Sequence, residues 1–407
     1  MTYDATAHLS GLKAFQRATV DHVAQRFYRD DPAARRFLVA DETGLGKSLV
    51  GRGVIARAIE HLQHDDDCER IDVVYVCSNA DIAEQNLKRL DVLDTGSSHH
   101  ATRLTLLARQ THELTGEPHP DVGKRVNLVS FTPGTSFDLG HTTGRAEERA
   151  LLHVILCDHL GYDTRTEEKA AAVVLRATSG LTSFEREIAA MHWKLGGYPP
   201  DPAITTPFLA EIRTSVLLRR FRRAVTDLGR RTRTTDIERE AHKVIVGELR
   251  AALAEAGVDA LEPDLIILDE FQRFRHLLSL DDPRHRDAAE LAHALFAYGD
   301  AKVLLLSATP YKPFTYAEEV AAGDDHAADL RRTLGFLAEG SVGASGVGMI
   351  IDDLADYRRA AIDGAPTAHL RVRLEGSLTS LMCRTERPRL GHDSMLREAL
   401  HAAAPVP

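Results

Sequence analysis

The sequence predicts an α/β fold: a parallel sheet flanked by helices, with a large all-helical insertion between the fourth and fifth predicted strands. Three observations predict it. Short apolar runs recur at Val73 to Cys77, Leu265 to Leu268 and Val303 to Leu306. Runs of this kind mark strands buried on both faces, as parallel strands are. Stretches with helical periodicity separate the runs. Residues 132 to 264 then carry no convincing strand, whereas an ordinary crossover helix needs only about 10–15 residues.

The elements follow in order. Residues 9 to 28 read as a helix with Leu12, Phe15, Val20, Val23 and Phe27 as a broken stripe, stopped by Asp30-Asp31-Pro32. Gln16 on this helix reads, by itself, as a solvated amide. Phe37 to Ala40 is the first strand. It runs into a tight loop, Gly44-Leu45-Gly46, followed by Lys47, Ser48 and a helix carrying Val50, Val54, Ala58, Ile59 and Leu62.

The chemistry of that loop explains its spacing. Glycines let backbone N–H groups approach phosphate oxygens. The N-terminus of the new helix adds partial positive charge. Lys47 can reach β/γ-phosphates, and the Ser48 hydroxyl can bind Mg²⁺. The strand–loop–helix context argues against a chance Gly-Lys-Ser turn.

The second strand, Val73 to Cys77, ends at Ser78 and Asn79, where α/β sheets place ligand-contacting loops. A helix with Ile82, Gln85, Asn86 and Leu90 comes next. Leu104 to Leu107 reads as the third strand, and Val126 to Phe131 as the fourth, ending at Thr132. Residues 146 to 160 form a helix closed by Gly161. Thr182 and Glu185 suggest a capping box for the next helix, which Gly196-Gly197 ends. Two further apolar faces follow, on Leu217, Leu218, Phe221, Val225 and Leu228, then on Ile237, Ala241, Val244, Ile245, Leu249 and Leu253.

Arg219, Arg220, Arg222 and Arg223 lie largely away from the first of these faces, and Arg230, Arg231 and Arg233 follow. One reading is a phosphate-backbone patch for nucleic acid. The other is a solvated face paired with acids such as Glu238 and Glu240. No aromatic series is interleaved for base stacking.

Leu265 to Leu268 leads into Asp269-Glu270-Phe271-Gln272. Two carboxylates at a strand's carboxyl end can hold Mg²⁺ and deprotonate water. Alone the pair is weak evidence; with the loop at Gly44 to Ser48 it is strong. Val303 to Leu306 is followed by Ser307-Ala308-Thr309-Pro310, which can sense a terminal phosphate or simply cap a helix. Residues 325 to 338 read as helix. Gly340 to Gly348 is glycine-rich and reads as mobile, and Ala402 to Pro407 as disordered. His153 and Cys157 share a helix face without a fourth ligand, and His99-His100 reads as a polar loop.

Composition bounds the function. Length allows roughly two or three domains, or one domain with an insertion. The chain is 43% hydrophobic, enough for ordinary cores. Its net charge of −10, from 50 basic and 60 acidic residues, argues against general polyanion binding, so any nucleic-acid surface is local. Cys68, Cys77, Cys157 and Cys383 are scattered, with no Cys-x-x-Cys pair. A reduced cytoplasmic setting is expected. Neither a signal sequence nor a membrane-length apolar run is evident.

Four segments taken together carry a resemblance. Asp41-Glu42-Thr43-Gly44-Leu45-Gly46-Lys47-Ser48, Asn79, Asp269-Glu270-Phe271-Gln272 and Ser307-Ala308-Thr309-Pro310 resemble motifs I, Ia, II and III of superfamily-two helicases and translocases of DEAD/DEAH type. The first looks most like the Swi/Snf branch, where its third residue is usually methionine. Leu12, Phe15 and Gln16 look like the upstream adenine-reading segment. Phe271 departs from the alanine common in motif II. The Ser-Ala-Thr-Pro-Tyr-Lys run is similar to helicases of bacterial defence and restriction systems.

The resemblance covers about residues 10 to 137 and 262 to 315. It implies a RecA-like lobe and a phosphate-loop hydrolase that couples ATP to movement on nucleic acid, with DNA favoured over RNA. ATP would meet Gln16, Thr43, Gly44, Leu45, Gly46, Lys47, Ser48 and Gln272. Mg²⁺ would be held by Ser48 and Asp269. Glu270 and Lys47 would be catalytic, and Ser307, Ala308 and Thr309 would couple hydrolysis to movement. Ser78, Asn79, Thr132, Arg219, Arg220 and Arg223 are the nucleic-acid candidates.

The implied division is 1–137 and 262–320 for the two parts of the lobe, 138–261 for the helical insertion, and 321–407 for a helical C-terminal extension. The second motor lobe of the family is absent from this reading, so a lobe or partner protein in trans is expected, with weak turnover by the chain alone. The alternative is a non-catalytic, nucleotide-regulated binding or scaffold module. A metabolic phosphate-loop kinase is disfavoured by Ser307-Ala308-Thr309.

Overall fold

The architecture is that of a computed structural model, which describes residues 2–42, 44–94, 99–101, 103–137, 143–308, 326–339 and 343–385. The predicted α/β class is the one observed. The sheet contains β1 (Arg36–Val39), β2 (Arg70–Val76), β3 (His99–Ala101), β4 (Arg125–Phe131), β5 (Leu265–Asp269), β6 (Lys302–Leu306) and β7 (Met382–Cys383). Their spatial order is β3-β4-β2-β5-β6-β1-β7, and every pairing is parallel.

The apolar runs form strands because both of their faces are covered. Side chains alternate across the pleat. Val73 and Tyr75 therefore enter one core and Val74 and Val76 the other. The first core packs α1 (Thr6–Ser10), α2 (Ala14–Tyr28), α3 (Lys47–Leu62) and α4 (Ala80–Leu90) on one sheet face. Phe27 and Phe37 meet edge to face there, with ring centroids 6.5 Å apart.

The second core is larger. Between β2 and β5 the chain forms α5 (Leu107–Leu114), α6 (Pro133–Ser136), α7 (Ala146–Leu160), α8 (Arg165–Leu175), α9 (Leu181–Leu195), α10 (Pro202–Thr214), α11 (Leu217–Leu228) and α12 (Asp236–Leu261). Then come α13 (Arg286–Phe296), α14 (His326–Ala338), α15 (Gly343–Ile362) and α16 (Ala368–Thr379). Residues of α7, α10 and α12 share one apolar cluster with Val74, Ile266 and Leu305 of the sheet and with Leu334 of α14. Helices after β4 share the apolar cluster that covers this face of the sheet.

A buried ionic knot fixes that packing. Glu148 of α7 is fully buried and pairs with Arg250 of α12 at 2.7 Å. It also accepts from Thr105 Oγ1 at 2.6 Å and from Arg103 at 3.0 Å. Helix ends follow local chemistry. Thr235 and Glu238 form a capping box for α12, and Gly161 closes α7 at φ 62°.

Several expectations are corrected. Leu104 to Leu107 is a helical turn leading into α5, because its leucines all face the second core. The third strand is instead His99–Ala101, in the segment read as a polar loop. Residues 9 to 28 break into two helices at Gly11. The Thr182–Glu185 capping box does not form; α9 starts at Leu181, with Gly180 at its N-cap. From Gly343 the glycine-rich stretch is helical, while 340–342 lie outside the described residues. The C-terminal extension is not wholly helical, since Met382–Cys383 pairs with β1. The tail from 402 lies outside the described residues.

Candidate active site

The sheet collects the predicted segments at one end. In spatial order, the carboxyl ends of its strands present Thr132 after β4, Ser78-Asn79 after β2, Asp269-Glu270 at β5, Ser307 after β6 and the glycine loop after β1. The register is close: Val39 pairs with Leu306, and Leu306 with Asp269. Residues far apart in sequence thus end neighbouring strands at one level.

The loop after β1 has the backbone that a phosphate cradle needs. Gly44 and Gly46 sit at φ 84° and 85°, where a side chain is strained. Gly46 is the N-cap of the 16-residue α3, so Lys47 and Ser48 are its first residues. The first N–H groups of a helix have no partner within it and favour an anion. Lys47 Nζ donates to the Asp41 carbonyl at 3.4 Å, folded back over its own loop. Ser48 is half-buried, and Thr43 lies outside the described residues.

Gln16 is not the solvated amide that its helix position suggests by itself. It is 4% exposed. Its Nε2 donates to the Leu45 carbonyl at 2.8 Å, and its Oε1 accepts from Lys13 N at 2.9 Å. A Cβ on Gly46 would stand 2.6 Å from that Nε2. Gln16 therefore braces the loop from behind.

At the end of β5, Asp269 Oδ2 accepts from the Tyr75 hydroxyl at 2.6 Å, and Asn86 Nδ2 donates to that hydroxyl at 2.7 Å. Burial raises the Asp269 pKa above the usual carboxylate value. Tyr75 and Lys47 oppose the shift, and the neighbouring Glu270 charge adds to it. Glu270 adopts φ 52°, a left-handed conformation that costs a non-glycine residue about 1 kcal/mol or more. Its Oε2 lies 3.3 Å from Arg273 Nε. Gln272 Oε1 is buried with no hydrogen-bond partner among the described residues.

Ser307 is fully buried, and its N–H bonds the Val39 carbonyl at 3.1 Å. Ala308 is half-buried, and Thr309 lies outside the described residues. Ser78 and Asn79 are exposed, and Thr132 Oγ1 is 2.5 Å from Thr135 Oγ1. The arginines stand apart from this row. Arg219, Arg220, Arg222 and Arg223 lie on α11, which packs on α8, α10 and α12, and Arg231 follows it. Arg220 pairs with Glu248 at 2.5 Å, Arg223 with Asp227 at 3.6 Å and Arg231 with Glu238 at 3.1 Å. Arg219 is exposed on the same helix.

His153 and Cys157 are core residues. The His153 Nε2 is 3.0 Å from the Glu168 carbonyl and 3.6 Å from Cys157 Sγ. No metal-holding cluster of three or more His, Cys, Asp or Glu occurs among the described residues. An Mg²⁺ site here would need nucleotide oxygens beside Ser48 and Asp269. Such a partial donor set suits a cation that keeps water and phosphate ligands. The cradle and Lys47 suit the phosphates, whereas the unpartnered Gln272 oxygen, an acceptor, suits a water or the cation beside them.

Three contributors escape a reading by motif, Tyr75, Asn86 and Thr385, and the motif that contains Asp41 does not reveal its partner. Tyr75 carries a signal in hindsight. A hydroxyl within a fully apolar strand demands a partner. Asp41 is fully buried; its Oδ1 accepts from Thr385 N at 2.7 Å, and its Oδ2 has no partner among the described residues. No family model matches the chain, and neither curated proteins nor solved structures give a match.

Proposed function

We propose that this chain is the ATP-binding motor lobe of a helicase-type translocase, a hydrolase that couples ATP to movement on nucleic acid, DNA in preference to RNA. The observation that supports it best is the shared strand end: the glycine loop, Asp269-Glu270 and Ser307 fall at one level on three adjacent strands. Bound ATP·Mg²⁺ would supply the reactive phosphate and its charge neutralisation.

In this reading the chain's own groups divide the work. The loop N–H groups and Lys47 hold phosphate, while Ser48 and Asp269 hold the cation. Glu270 takes a proton from the attacking water. Gln272 offers its oxygen to the same region. Ser307, Ala308 and Thr309 would couple hydrolysis to movement, and nucleic acid would lie at Ser78, Asn79 and Thr132. Arg219, Arg220 and Arg223 would add a peripheral phosphate contact. A second motor lobe would supply the remaining positive charge, worth roughly 10³–10⁵ in rate in related enzymes. A cytoplasmic location belongs to the same proposal; among the described residues no helix is long and apolar enough to cross a membrane.

A second reading, a nucleotide-regulated binding module without turnover, is favoured by one observation: Glu270 is paired with Arg273. Single-turnover hydrolysis of labelled ATP, with and without single-stranded DNA, separates the two. The motor reading expects slow turnover that Glu270→Gln lowers by about 10²–10⁴ while ATP binding is retained. Binding without any turnover, unchanged by Glu270→Gln, selects the module.

A further inference from the structure

The hydroxyl of Tyr75 occupies an unusual place. Its ring is 1% exposed in the core beneath the sheet, yet its oxygen reaches the strand-end row. Tyr75 sits on β2, paired with Ile267 of β5, two residues before Asp269. The hydroxyl has one proton and gives it to Asp269 Oδ2 at 2.6 Å. Its oxygen is then an acceptor, and Asn86 Nδ2 fills it at 2.7 Å. The direction of both bonds is fixed by this inventory, because a carboxylate accepts only.

We propose that Tyr75 is a positioning residue for the Asp269 carboxylate, and that Asn86 makes α4 the element that sets its position. Three facts carry the argument. The chain Asn86–Tyr75–Asp269 is short and well enclosed, and serial hydrogen bonds polarise one another. It engages one carboxylate oxygen, fixing the rotation that decides where the other points. α4 starts at Ala80, directly after the exposed Ser78 and Asn79.

Asn79 immediately precedes α4, and Asn86 lies within its second turn. The Asn79 carbonyl accepts from Ala83 N at 2.9 Å, which joins it to the first turn of α4. A partner that displaces this turn displaces Asn86, and through Tyr75 it turns Asp269. The inference rests on reading Asp269 as a cation-binding carboxylate. A merely structural hydroxyl would be satisfied by either neighbour and would leave the cation unaffected.

The test uses the full chain as wild type, Tyr75→Phe, Asn86→Ala and the double variant. Phenylalanine keeps the ring and removes only the oxygen. The first readout is the Mg²⁺ concentration that half-saturates binding of a fluorescent ATP analogue. Tyr75→Phe is expected to raise it about tenfold and Asn86→Ala about threefold, with the double variant no worse than Tyr75→Phe.

The second readout is urea unfolding without nucleotide. It compares Tyr75→Phe and Asp269→Asn singly and together, and expects non-additive losses. An unmoved Mg²⁺ midpoint in Tyr75→Phe, with wild type binding normally, overturns the proposal. Additive losses in urea overturn it as well. Non-additive losses in a wild type that shows no Mg²⁺-dependent nucleotide binding support the Tyr75–Asp269 coupling and overturn only the nucleotide reading.

Discussion

Asp41 Oδ1 accepts the backbone N–H of Thr385 at 2.7 Å, joining residues 344 apart in sequence. The contact continues the pairing of β1 with β7 past the sheet: Ala40 N bonds the Cys383 carbonyl, and Glu42 N the Thr385 carbonyl. The glycine loop is thereby tied to the edge strand that closes this side of the sheet. Burial and the Asp41 charge push the Cys383 thiol up to about 12, so it stays a neutral packing group at this seam.

Asp41→Ala should loosen the seam. The half-buried Thr385 N–H would lose its acceptor, at a cost of about 1 kcal/mol because water can partly replace it. Hydrogen exchange over residues 380 to 385 should accelerate, with a smaller change in Asp41→Asn, which keeps an acceptor. Unchanged exchange in Asp41→Ala would remove the proposed tie.

Two glycines should respond in opposite ways. Gly46→Ala places a Cβ at φ 85° and 2.6 Å from Gln16 Nε2. It should destabilise the chain by about 1–3 kcal/mol and weaken ATP binding. At Gly51, inside α3, a Cβ would meet Leu306 and Leu90 at 3.5 Å, an ordinary contact. Gly51→Ala should be neutral or stabilise by up to about 1 kcal/mol. Urea unfolding of both variants checks the contrast.

At the opposite end of the sheet, burial raises the Asp264 carboxyl to about 7 and that of Asp72 to about 6. Asp264 Oδ2 accepts the Asp72 N–H at 2.8 Å. Both groups hold protons more tightly folded than unfolded. Their contribution is full below the unfolded value near 4 and is lost as pH rises through about 7. Asp264→Asn keeps the acceptor and removes the charge. Across pH 4.5 to 7.5 its unfolding free energy should fall less than that of wild type, by roughly 2 kcal/mol. Parallel pH profiles would contradict this.

The Glu148–Arg250 pair is 0% and 2% exposed. Arg250→Met should destabilise by about 3–5 kcal/mol, because Glu148 is left buried with less compensation. The double change to Glu148→Gln and Arg250→Met should recover part of that loss. Chemical denaturation of Arg250→Met, Glu148→Gln and the double variant measures the coupling.

The sequence carried the sheet and the strand-end residues plainly. Apolar runs such as Leu265 to Leu268 are buried on both faces, and that alone dictates their composition. The glycines at 44 and 46 were legible because only their backbone suits the loop. Leu104 to Leu107 was not: a short apolar run serves a buried helical turn as well as a strand. β3 was hidden because an edge strand needs no apolar run. Tyr75, Asn86, Thr385 and the contact made by Asp41 were hidden for another reason. Their partners lie on other strands or across most of the chain, so no local spacing records them. The arginines of α11 were visible as charge, while their pairing with Glu248 and Asp227 depended on tertiary packing.

The central claim is that the strand-end row binds ATP with Mg²⁺ through Lys47 and Asp269. Titration calorimetry of ATP into the full chain, with and without Mg²⁺, tests it most directly. The account predicts Mg²⁺-dependent binding that Lys47→Ala weakens at least about tenfold and that Asp269→Asn makes insensitive to Mg²⁺. Absent binding by the folded wild type, or binding that neither variant alters, would contradict it.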